Sequence, residues 1–169
     1  TQLLCEPDVH ARLLRALAAS SAPLTFEVTE TSAIRNWALA LGNLRALADA
    51  GARIAIDDYG SGMSSLAYVQ QLPAHELKID KSFITRLTQA HKDPLLVRST
   101  IELGHALELE VVAEGIEDAE TLALLTIMGC DLAQGYYLAR PMPLAELVPY
   151  LASSSGRDTV SRPLEPRLL

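Results

Sequence analysis

Glu27, Asp57, Asp58 and Glu114 set the chemical question posed by this chain. They stand at the ends of three short apolar runs that read as β-strands, Phe26-Glu27-Val28, Ile54-Ala55-Ile56-Asp57-Asp58 and Val111-Val112-Ala113-Glu114. Carboxylates gathered in one cleft repel one another unless something neutralises them. Hard, oxygen-binding cations such as Mg²⁺ or Mn²⁺ would do so. Adjacent residues leaving a strand reach to different sides, so one of Asp57 and Asp58 can bridge two cations while the other binds one. Two such cations clamp a phosphodiester for in-line hydrolysis. Lys78, inside the apolar pattern Leu77-Lys78-Ile79, belongs with this set. A lysine in such a place carries a costly charge unless anions face it.

Taken singly, these features have plain explanations. Asp-Asp-x-Gly after a strand is commonly a turn with side-chain-to-backbone hydrogen bonds. Glu27-x-Thr29-Glu30 ahead of a helix reads as a capping box, with Thr29 or Thr31 as the cap. A lone lysine is most often solvated or salt-bridged, and Gln134-Gly135 alone says little. The set gains meaning from its order, because polar groups recur at five strand ends: Glu27 and Glu30, Asp57 and Asp58, Lys78 and Asp80, Glu114 and Glu117, and Gln134.

The elements that must position these residues are legible as pattern. Glu6 to Ala19 reads as a helix, with Pro7 in its first turn and Leu13, Leu14 and Leu17 at helical spacing. A strand spans Leu24 to Thr29, and a helix runs from about Ala33 to Ala50 with Gly51 as its stop. Arg53 to Ile56 is a strand, Gly60 to Gly62 a glycine-rich loop, and a short helix reaches Leu72 before Pro73. Glu76 to Ile79 is a strand followed by two helical segments parted near Pro94, the second ending about Leu107. Strand Glu110 to Ala113, helix Asp118 to Met128 with its stop at Gly129, strand Asp131 to Ala133 and helix Pro143 to Ala152 complete the pattern. From Ser153 onward the composition is that of a disordered tail or linker.

Strand and helix alternating five times predict an α/β fold with a parallel sheet. In an open sheet, ligand groups concentrate at one switch point. In a closed barrel, many strand ends feed one mouth. Polar residues at every strand end therefore favour a TIM-type (β/α) barrel. A complete barrel takes about 250 residues, so a chain of 169 residues is expected to hold about five of its strands.

Composition narrows the function classes. Hydrophobic residues make up 49%, enough for a packed core, and aromatics only 5%, so Leu, Ala, Ile and Val must build it. A net charge of −7 argues against binding a nucleic-acid polymer by counterion displacement. Apolar stretches fall short of a membrane span, and the first residues lack a basic start followed by an apolar run. Cys5 and Cys130 match no metal or redox spacing, which fits a reducing cytoplasm.

Five segments together resemble, in order and spacing, the successive signatures of EAL domains: Phe26-Glu27-Val28-Thr29-Glu30, Asp57-Asp58-Tyr59-Gly60-Ser61-Gly62, Leu77-Lys78-Ile79-Asp80, Ala113-Glu114-Gly115-Ile116-Glu117 and Gln134-Gly135-Tyr136. The resemblance runs from about Gln2 to Tyr150, with Tyr59 and Ser61 as mild departures from the usual Asp-Asp-Phe-Gly-Thr-Gly loop. It implies a cyclic di-GMP phosphodiesterase that yields linear pGpG and uses two divalent cations, Mg²⁺ or Mn²⁺, with Ca²⁺ inhibitory. Glu27 would bind the first cation, Asp57 bridge both, and Asp58 with Glu114 bind the second. Lys78 and Glu114 would hold and activate the attacking water, Glu114 as general base, with Gln134 in support. Glu30, Glu117 and Asp80 would support this set, Glu30 by steadying the aspartate loop. Gly60 and Gly62 would let that loop move and couple partner contacts to the aspartates. Homodimerisation and fusion to sensory or GGDEF-type domains are also implied.

The Glu-Ala-Leu motif and the Asn-x-Ser strand of the family are not among these residues. Residues 1–152 are therefore expected to form a partial EAL domain that is inactive by itself. The other reading is a module that binds cyclic di-GMP or a protein without cutting anything. The presence of every expected ligand in the covered region favours hydrolysis.

Overall fold

The computed structural model of the chain describes residues 6–29, 37–60, 66–87 and 93–154. In chain order the described elements are α1 (Pro7–Ala19), β1 (Thr25–Thr29), α2 (Trp37–Asp49), β2 (Arg53–Tyr59), α3 (Leu66–Val69) and β3 (Glu76–Ile79). They continue as α4 (Lys81–Ile84), α5 (Asp93–Ala106), β4 (Glu110–Ala113), α6 (Ala119–Met128), β5 (Leu132–Ala133) and α7 (Leu144–Ser154). The five strands form one parallel sheet in the order β1-β2-β3-β4-β5, the α/β class expected from the alternation. The chain divides into two compact units, Thr1–Lys78 with Gly104–Glu110, and Ile79–Leu103 with Val111–Leu169.

In the first unit, register explains which residues meet. Val28 pairs with Ile56, while Glu27 pairs with Ala55 and Thr29 with Asp57. Side chains alternate between the faces of a strand, so Val28, Ile54 and Ile56 share one face and Glu27, Ala55 and Asp57 the other. The first face builds the core. Val28 and Ile54 pack with Leu44, Leu47 and Ala52, against Leu13, Leu14 and Leu17 of α1. Ile56 packs with Val69, Leu77 and Leu109. At the strand starts, Arg53 bonds Glu76 at 2.8 Å and also bonds Glu110. The hydrogen bond to Glu76 is the main reason the Arg53 guanidinium holds its proton still more firmly than usual.

In the second unit the core gathers Ile79, Ile84, Val97, Ile101, Val111, Ala113, Ile116, Leu125 and Cys130. Helix α6 is closed at both ends: Asp118 accepts from the Thr121 N–H at 2.7 Å, and Gly129 takes the left-handed conformation at φ 81°. Those cap bonds hold the Asp118 carboxyl below its ordinary value.

Several boundaries depart from the pattern reading. Strand β2 runs on through Asp57 and Asp58 to Tyr59 instead of ending at Ile56, because the sheet ladder continues where the apolar pattern stops. Helix α3 ends at Val69. Pro94 lies in the first turn of α5, where a proline costs no hydrogen bond. Helix α7 runs from Leu144 to Ser154, against the expected helix from Pro143 to Ala152. The expected start of α2 near Ala33, and the tail beyond Ser154, fall outside the described residues. Among the described residues no helix is long and apolar enough to cross a membrane.

Candidate functional site

Two groups of the expected residues come together, each within one unit. In the first, Lys78 Nζ lies 2.7 Å from Glu27 Oε1 and 3.0 Å from Asp57 Oδ1. The lysine side chain is 7% exposed, between Leu77 and Ile79 that are fully buried, whereas Glu27 is 52% exposed. Burying an ammonium is costly, and two carboxylates offset it here. The Asp57 Oδ1 atom is itself buried and makes no hydrogen bond, so Lys78 holds it by charge alone. Asp58 follows at φ 55°, a left-handed conformation uncommon for a side-chain-bearing residue, though aspartate tolerates it better than most. Gly60, at φ 97°, takes the next such position without a steric penalty. Glu30 and Gly62 lie outside the described residues.

In the second unit Glu114, Glu117 and Gln134 line one pocket of about 240 Å³ with Lys81, Gly115, Gly135 and Tyr136. Backbone bonds set their places. The Glu114 N–H donates to Ile79 O at 3.3 Å, the Gln134 N–H to Ala113 O at 2.9 Å, and the Ile116 N–H to Gln134 O at 3.1 Å. Gly135 permits that approach, since a Cβ there would lie 2.1 Å from Ile116 O. Asp80 caps α4, accepting from the Ser82 N–H at 2.9 Å.

Pattern reading missed Lys81 and the wall made by Tyr136, above whose ring the Arg140 guanidinium sits 4.8 Å from the centroid. Lys81 stands beside the capping Asp80 and looks like an ordinary helix-surface lysine. Nothing local marks it.

A family profile described as EAL domain matches residues 1–141. The bifunctional diguanylate cyclase/cyclic di-GMP phosphodiesterase MucR of Pseudomonas aeruginosa is 43% identical over 129 residues, 76% of this chain and 19% of that protein. The chain thus spans about a fifth of the length of this curated relative. A solved structure of the PaMucR phosphodiesterase in complex with c-di-GMP superposes with a TM-score of 0.80 at 39% identity, covering 86% of this chain and 60% of that one. BlrP1 of Klebsiella pneumoniae, solved with cy-diGMP and manganese and also with calcium, superposes at 0.74 with 31% identity, over 82% of this chain and 36% of that one. The chain belongs to the EAL domain family.

Proposed function

We propose that this chain forms the carboxylate-rich part of a cyclic di-GMP phosphodiesterase, which hydrolyses its substrate to linear pGpG. The observation that carries the reading is the buried Lys78 ammonium set against Glu27 and Asp57. It supplies fixed charge and hard oxygen donors at one place, and Asp57 Oδ1 has no hydrogen bond to give up. This donor set fits Mg²⁺ or Mn²⁺. Glu27 would hold the first cation, Asp57 both, and Asp58 with Glu114 the second. When bound, the cations would neutralise phosphate charge and favour in-line attack.

The chain's own groups would do the rest. Glu114 takes the proton of the attacking water, Lys78 orients that water through its ammonium, and Gln134 steadies it by hydrogen bonding. By resemblance to the family, Glu30 would steady the aspartate loop, Glu117 and Asp80 would support the reacting groups, and Gly60 and Gly62 would let that loop adjust. The protein carrying this chain is proposed to be multidomain, cytoplasmic and homodimeric. Its relatives are several times longer than the matched region.

The test is chromatography of products from the full-length protein with cyclic di-GMP and Mn²⁺. Linear pGpG should form, and chelation should stop it. Binding of cyclic di-GMP without any cleavage would replace this reading with that of a binding module.

A further inference from the structure

We infer that Lys78 is a fixed counter-charge that sets how tightly the Glu27–Asp57 pair binds a divalent cation, an inference that rests on the cation site proposed above. Its Nζ is within 2.7 Å of Glu27 Oε1 and 3.0 Å of Asp57 Oδ1. The lysine cannot move away cheaply. Its neighbours Leu77 and Ile79 are fully buried, which anchors the strand, and its own side chain is 7% exposed. The ammonium therefore neutralises part of the carboxylate charge on which cation binding depends. Any cation taking oxygens from Glu27 and Asp57 must share them with this ammonium and sit close to it.

At separations of a few ångström the repulsion between such charges is large even when protein and water screen it. The bond given up at Asp57 is purely ionic, because Oδ1 makes no hydrogen bond. So the lysine has two opposed effects: it stabilises the fold without cation and weakens cation binding. Any agent that binds only the folded state raises stability by an amount set by its concentration relative to its Kd, which makes both effects measurable without turnover.

The experiment titrates the full-length protein with Mn²⁺ alone, by calorimetry, beside melting curves with and without Mn²⁺. Lys78→Met should bind Mn²⁺ roughly tenfold more tightly or better, melt lower than the unaltered protein without Mn²⁺, and show the larger Mn²⁺-induced rise in Tm. Lys78→Arg keeps the charge and should stay near the unaltered affinity. Lys78→Gln provides the same reading should the methionine variant fail to fold. If Mn²⁺ binds the unaltered protein, and the Met and Gln variants bind it equally or more weakly, the counter-charge role is overturned while the cation site stands. If the unaltered protein binds no Mn²⁺, both fall.

Discussion

Buried ionisable side chains in this chain divide by whether they are paired. Lys78 is buried because two carboxylates meet it. Cys130 is buried among apolar neighbours, its thiol making weak bonds to the Val111 and Leu132 carbonyls, each at 3.3 Å. Burial pushes its thiol from 9.0 up to about 12. The thiolate is the reactive form, so folded Cys130 should resist iodoacetamide near pH 8 and react once denaturant is added. Mass spectrometry on a Cys5→Ser background reads this, and fast alkylation without denaturant would contradict the placement. Below the ordinary thiol value both folded and unfolded states keep the proton. Between 9.0 and about 12 only the unfolded state releases it, so this contribution to stability is present below pH 9 and is lost as pH rises through that window.

At the scale of elements, register and close approach aim the side chains. The pairing of Thr29 with Asp57 puts Glu27 and Asp57 on one face of β1 and β2. A one-residue slip would send them into the core face beside Val28 and Ile54. In the other unit, the contact of Gly135 with the Ile116 backbone fixes Gln134. Gly135→Ala should force the two segments apart, lowering stability by about 1–3 kcal/mol and cutting turnover in the full-length protein. A melting curve and a rate assay check this; an alanine variant with unchanged melting and rate would show that the segments yield freely.

Much of this scale was readable from pattern. Strands β3 and β4 fall where the apolar runs place them, and Asp118 and Gly129 mark the ends of α6 as their residue types suggest. The extension of β2 to Tyr59 was not readable, because Asp57 and Asp58 interrupt the apolar signal while the backbone ladder persists. Lys81 at the pocket and the Arg53 pairing with Glu76 and Glu110 depend on neighbours far along the chain, which no local pattern encodes.

Across the whole molecule, each unit has its own core: Leu44, Leu47 and Ile54 in one, Ile84, Ile101 and Leu125 in the other. Negative charge dominates at −7, which suits a protein that would meet phosphate through cations rather than through a basic surface. The five ordered motifs named the family in the sequence, and the matched region of residues 1–141 covers all of them. What pattern could not supply was which carboxylate faces which cationic group, since that follows from register and burial. Asp57 and Glu114 are proposed to serve one hydrolytic reaction. The most direct measurement is the rate of cyclic di-GMP hydrolysis by the full-length protein in Mn²⁺, unaltered and with Asp57→Asn or Glu114→Gln. Losses of roughly 10²-fold or more are expected for each, since removing a general base alone costs roughly 10²–10⁴-fold. Hydrolysis at the unaltered rate by both variants would contradict the proposal.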